Sequence, residues 1–172
     1  MPRNSGKPVV AKSDISAELR RLGLAAGDTA VVHSSLSSMG HVEGGADTVI
    51  DAFLDVVGAE GTLVMPAFSF IWDKRTESMS VPPFDPTTTP SRMGVITETF
   101  RKRRGTIRSN HRSLSWCASG RSARLVLYGE AGRPKAGESI SWDAVFGLKG
   151  QVVLLGVHYN RCNVMHYVEH SC

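Results

Sequence analysis

The chain has 172 residues, of which 41% are hydrophobic and 21% charged, and its formal net charge is +4. These proportions describe one globular domain with enough chain to bury a core, and they argue against disorder in the body of the chain. The longest apolar runs, such as VVLLGV, are far too short to span a bilayer, and three cysteines without a C-x-x-C pair read as a reduced, cytoplasmic chain rather than a disulfide framework.

Residues 1–12 carry charge but no apolar core, so they read as a flexible N-terminal arm rather than a signal peptide, ahead of a single domain over 13–172. SDISAELRRLG follows as a helix over 13–23, capped by Ser13 or Asp14, with Ile15, Leu19 and Leu22 on one face and Gly23 as its stop. TAVVHSS is a strand rich in β-branched residues. LSSMGHVEGG is a loop, and ADTVIDAFLDVVG is a second amphipathic helix with Val49, Ile50, Phe53, Leu54 and Val57 inward and Gly58 as its stop. TLVMPA is the next strand. This alternation predicts a layered α/β/α fold around a largely parallel central sheet.

A long connection, Phe68 to Thr89, carries prolines at 82, 83 and 86, and so long a loop is usually functional. Thr89 is predicted to cap a helix with Pro90 in its first position and Met93, Ile96 and Phe100 inward. That helix ends in RKRRG, Arg101 to Gly105, with Arg108 and Arg112 close behind. The run is either a solvated face or a site for a phosphate-bearing ligand. Aromatic residues are not interleaved with it, which argues against nucleic acid. LSWCASG reads as a strand, SARLVLYG and SWDAVFGL as short helices, QVVLLGV as a buried strand and NVMHYVEH as a last helix.

Four stretches hold candidate chemistry. VVHSSLSSMGHVEGG leads from a strand end through serines and glycines to a helix. Such a turn can hold phosphate or acyl oxygens, or it is a plain serine-rich turn, since neither G-K-[ST] nor G-x-G-x-x-G occurs. RSNHRSLSW supplies Arg108, Ser109, His111 and Arg112, which suit a pyrophosphate or form a solvated loop. Cys117 lies between Trp116 and Ala118 in a predicted strand, so a buried structural cysteine is favoured over a nucleophile. The fourth stretch holds His166, Glu169 and His170, the H-x-x-E-H order of inverted zinc peptidases. Only Ser171 and Cys172 follow to supply a third zinc ligand, which argues against a metal. Alternatively, His166 and Glu169 share a helix face, so that Glu169 orients His166 as a general base. A polar helix end without function is the third reading.

Taken in order, LRRLGLAAGDTAVVHSSLSSMGHVEGGADTVIDAFLDVVGAEGTLVMPAFS, PFDPTTTPSRMGVITETFR, RSNHRSLSWCASG and GQVVLLGVHYNRCNVMHYVEH resemble the aminoglycoside 3-N-acetyltransferase family over most of residues 14–170. The resemblance implies acetyl-coenzyme A as donor, an aminoglycoside amine as acceptor, no metal, and antibiotic resistance as the outcome. By position it implies that Ser34, Ser35, Leu36, Gly40 and Val42 lie along the coenzyme, with Arg108, Ser109 and His111 near it. It makes His166 the base and Glu169 its partner, and it turns Asp73 towards the acceptor.

Departures accompany it. Family members continue well beyond the H-x-x-E, whereas this chain stops at Cys172. Cys162-Asn163 stands where the family has Asn-Thr or similar, and Arg112 stands where it has proline. The strand at 151–157 and the helix after it would lie inside the layers of a longer member. Ending at Cys172 is therefore expected to expose Val164, Met165 and Val168, and to favour self-association as a homo-oligomer or marginal stability.

Overall fold

The structure is a computed structural model that describes residues 9–132 and 139–165. Its framework is a five-stranded sheet built from β2 (Thr29–Ser34), β4 (Thr62–Pro66), β7 (Ile107–Arg108), β8 (Trp116–Gly120) and β9 (Gln151–Leu155), in the order β7-β8-β4-β2-β9. Strands β9, β2 and β4 are mutually parallel, while β8 runs antiparallel to both β4 and β7. Two small pairs stand apart. One is β1 (Val9–Val10) with β3 (His41–Val42), and the other is the hairpin of β5 (Ile71–Asp73) with β6 (Ser78–Ser80). The end of the predicted arm is thus paired into β1, and residues 1–8 lie outside the described part.

Side chains alternate across each strand, so the sheet carries two cores. Ala30 and Val32 of β2, Leu63 and Met65 of β4, and Cys117 of β8 join α1 (Lys12–Arg21), α2 (Gly45–Val57) and α3 (Val95–Lys102) on one face. Val31, Val64, Trp116 and Ala118 join α4 (Ala123–Tyr128) and α5 (Trp142–Gly147) on the other. This is the expected α/β/α layering with a mostly parallel sheet.

Local chemistry departs from the expectations at several points. Helix α1 starts at Lys12, and its cap position is Ala11. Asp14 acts from the third helical position, accepting from the Ala11 amide at 2.9 Å, because its carboxylate reaches back to an otherwise unpaired donor. Leu22, expected on the inner face, is 64% exposed because it lies beyond the last helical turn. Thr89 does not cap α3, which starts at Val95 after Gly94. Instead the DPTTT segment folds on Asp85, whose Oδ1 accepts from the Thr87 amide (2.7 Å) and the Thr88 amide (3.1 Å), and Thr89 Oγ1 accepts from the Asp85 amide at 2.8 Å. An Asx turn of this kind competes with helix and wins where proline follows. Strand β9 is not sandwiched. It is the outermost described strand on its side, with Val152 39% and Leu154 37% exposed, while Val153 and Leu155 pack on the first core.

Candidate functional site at the carboxyl end of the sheet

The register brings the sequence motifs to one place. Ser34 pairs with Leu155, Pro66 with Trp116, and Cys117 with both Met65 and Arg108. The ends of β2, β4, β7 and β9 and the start of β8 therefore form one rim. In open α/β sheets, ligands bind outside the carboxyl ends of the parallel strands.

From β2 the chain passes through a 3₁₀ turn, Leu36–Met39, to β3 and then to the first turn of α2. The Ser35 amide donates to Leu155 O at 2.9 Å, and the Ser35 hydroxyl lies 3.2 Å from that of Ser37 and 3.0 Å from that of Ser38. Leu36 packs on the first core and Val42 is buried, so these two shape the loop through apolar contacts. Gly40 has φ 83 with open space around it, which allows the sharp reversal into β3. Gly156, unremarked in the sequence, follows β9 with φ 68, and a Cβ there would lie 3.0 Å from both Ser35 O and Ser38 Cβ. Gly156→Ala is expected to cost about 1–2 kcal/mol through backbone strain and to distort the serine turn. A thermal melt measures the first effect. A fall in ligand affinity beyond that of an equally destabilised core variant measures the second.

Arg108 is the best-secured cation of the rim. It is buried, its Nε donates to Ser115 Oγ at 2.9 Å, its Nη2 donates to Ala67 O at 2.5 Å, and its Nη1 donates to Thr89 O. The guanidinium also lies 5.0 Å from the centroid of the Phe84 ring. Ser109 is buried too. Its Oγ accepts from the Trp116 amide at 3.0 Å, which closes the β7–β8 connection. His111 sits in that connection, where Nδ1 accepts from the Leu114 amide at 3.0 Å and burial lowers its pKa. Both groups are thus occupied in holding the rim together. Of the basic run, Arg101 and Lys102 pair with Glu98, and Arg103 bridges Asp47 and Asp51. Cys117 is buried in the sheet and its thiol is pushed up to about 12 by desolvation, so it is no nucleophile at neutral pH.

Asp73 lies in the segment that follows the end of β4. It belongs to the β5–β6 hairpin, where its Oδ1 accepts from the Arg75 amide at 2.8 Å. His166 and Glu169 lie outside the described residues, as do His170 and Val168. The chain that leads to them leaves β9 at the rim, and Val164 packs against the second core while Met165 is half exposed. Among the described residues, no group of three or more His, Cys, Asp and Glu side chains could hold a metal ion, and no helix is long and apolar enough to cross a membrane.

The sequence profile of the aminoglycoside 3-N-acetyltransferase family matches residues 31–172. The chain belongs to that family. It is 35% identical over 175 residues to the SPbeta prophage-derived aminoglycoside N(3')-acetyltransferase-like protein YokD of Bacillus subtilis (strain 168), covering 92% of this chain and 64% of that protein. Among solved structures it superposes on AAC-IIIb in a binary complex with CoASH with a TM-score of 0.76 and 31% identity, over 95% of this chain and 65% of the other. It also superposes on a mutant of the aminoglycoside acetyltransferase AAC(3)-IVa in complex with apramycin, with a TM-score of 0.73 and 30% identity, over 90% and 61% of the two chains. The chain thus spans about three fifths of the length of the relatives it matches.

Proposed function

We propose that the chain is an acetyl-coenzyme A–dependent N-acetyltransferase whose acceptor is an amino group of an aminoglycoside. The observation that carries the reading is the convergence of the serine turn and the Arg108–His111 segment on one rim, from which β9 leads to His166. The relative holding CoASH and the one holding apramycin support the donor and acceptor classes. A donor of this kind, with reduced cysteines, fits a cytoplasmic site of action.

In this reading Ser34, Ser35, Leu36, Gly40 and Val42 line the coenzyme, and the loop amides ahead of α2 receive its phosphates. Arg108, Ser109 and His111 hold the opposite wall in shape, and Asp73 attracts the cationic acceptor. His166, oriented and kept basic by Glu169, takes a proton from the acceptor ammonium. The freed amine nitrogen attacks the thioester carbonyl carbon, and hydrogen-bond donors stabilise the oxyanion that forms. Collapse of the tetrahedral intermediate breaks the C–S bond, the departing thiolate takes the proton held by the imidazolium, and the second proton of the acylated nitrogen is released to solvent. The products are an N-acetylated amine and free coenzyme A, with no metal and no covalent enzyme intermediate required.

Thiol release from acetyl-coenzyme A against a panel of amines, with and without aminoglycosides, tests the reading. His166→Ala is expected to lower turnover by about two to four orders of magnitude. Coenzyme affinity by calorimetry should stay nearly unchanged, and Glu169→Gln should do less harm. Equal turnover by the wild type and His166→Ala would refute the role of His166. Coenzyme binding without thiol release from any amine would reduce the protein to a coenzyme-binding chain.

A further inference from the structure

The penultimate residue of β2, His33, has no role in the reading above. It is only 4% exposed and sits among aromatic rings. Trp116 meets it edge-on with centroids 5.9 Å apart, and Trp116 in turn meets Phe68 and Trp142 in T-shaped contacts at 5.7 and 5.5 Å. Among the described residues its Nε2 is buried with no hydrogen-bond partner. A buried polar atom left unpaired has given up its hydration for nothing, and native interiors contain few of them. A phenylalanine would fill an aromatic box without that cost. The strand position matters as well, because His33 immediately precedes Ser34 and Ser35 at the rim where the donor is proposed to bind. An unpaired imidazole nitrogen at a ligand-binding rim is the signature of a group whose partner arrives with the ligand.

We propose that His33 is a contact residue for the coenzyme donor, its Nε2–H donating a hydrogen bond to a carbonyl oxygen of that donor. The inference rests on the acetyl-coenzyme A reading. Burial keeps the ring neutral through the physiological range, lowering its pKa to about 4, so it acts as a fixed hydrogen-bond donor and moves no proton. Two oxygens share this chemistry, the thioester carbonyl of acetyl-coenzyme A and the amide carbonyls of the pantetheine arm, which free coenzyme A also carries.

The experiment is nitrogen NMR of the full chain labelled with ¹⁵N-histidine, with His33 assigned by the signal missing from His33→Phe. Coenzyme A and acetyl-coenzyme A are titrated separately, with calorimetry on the same samples. A shift of His33 Nε2 with both ligands assigns the contact to a pantetheine amide, and a shift with acetyl-coenzyme A alone assigns it to the thioester. Measurable binding heat with an unmoved His33 signal overturns this inference and leaves the donor reading standing. No binding heat with either ligand overturns both. His33→Phe is expected to melt no lower than wild type while binding acetyl-coenzyme A about tenfold more weakly. His33→Gln, which keeps a donor at similar reach, should retain most of the affinity. Unchanged affinity in His33→Phe would show the ring to be mere packing.

Discussion

Arg108→Ala is expected to destabilise the fold by about 3 kcal/mol, a fall in melting temperature of roughly 6–12 °C for a chain of this size. The reason is the accounting of its donors. Nε, Nη1 and Nη2 all go to internal acceptors, Ser115 Oγ, Thr89 O and Ala67 O, and among the described residues no carboxylate neutralises the charge at hydrogen-bond distance. Alanine would leave the Thr89 carbonyl without this donor and open a cavity beside Phe84. Ala67 O would keep its bond from Ser115 Oγ at 2.9 Å, which limits the damage at the β4 end. The side chain ties the loop through Phe84 and Thr89 to the end of β4, so its loss should loosen the rim as a whole. Arg108→Lys separates this role from a direct phosphate contact. A lysine keeps the charge but cannot span three acceptors with a planar fork. If Arg108 serves as a strut, Lys should melt nearly as low as Ala and weaken coenzyme binding in both low and high salt. If it grips phosphate directly, Lys should preserve both the affinity and its salt dependence. A wild-type melting temperature in Arg108→Ala would remove the structural argument.

Much of this architecture can be read from periodicity. The alternation of Ala30, Val31 and Val32, or of Leu63, Val64 and Met65, marks strands buried on both faces, and the two cores divide them as alternation requires. The failures have local physical causes. Thr89-Pro90 has the form of a helix start, yet Asp85 claims the neighbouring amides, and a pattern read one residue at a time does not reveal which of two caps prevails. QVVLL is apolar but for its first residue and reads as an interior strand, but composition cannot tell an edge from a centre, and β9 is the outermost described strand. The same blindness affects the site. Arg108, Ser109 and His111 are legible as a polar cluster suited to an anion, but not the fact that their side chains are spent on Thr89 O, the Trp116 amide and the Leu114 amide. Partner identity depends on long-range register, which no spacing within RSNHRSLSW contains. His33 escapes notice for the opposite reason. A single histidine in TAVVHS looks like the polar end of a strand, and only burial beside the Phe68, Trp116 and Trp142 cluster makes its nitrogen conspicuous.

That nitrogen also sets a pH dependence of the fold just below neutral pH. The folded chain holds His33 neutral until pH about 4, because burial disfavours the imidazolium, whereas an unfolded histidine titrates near 6.5. Between those values the unfolded state binds a proton that the folded state does not. Stability therefore rises with pH across this window and is lost as pH falls through it. The slope approaches about 1.4 kcal/mol per pH unit, for a total of about 3 kcal/mol, comparable to removing Arg108. His111, also lowered by burial, adds a contribution of the same sign. Glu98 behaves as a carboxylate held in its charged form. Hydrogen bonds from Arg101, then from Lys102 and the Ser91 amide, keep it at about 2, below its usual 4.5. Its contribution is intact above pH 4.5 and is lost only as pH falls from there towards 2. Acid unfolding should accordingly proceed in two limbs. Urea melts from about pH 7 down to about pH 3 would resolve them. His33→Phe should flatten the upper limb, from pH 6.5 to about 4, and leave the lower one, while Glu98→Gln should lower stability at neutral pH and flatten the lower limb alone. Constant stability of the wild type between about pH 7 and about pH 4.5 would mean that His33 is solvated in the folded protein, and the buried, unpaired imidazole would then be the wrong description of this site.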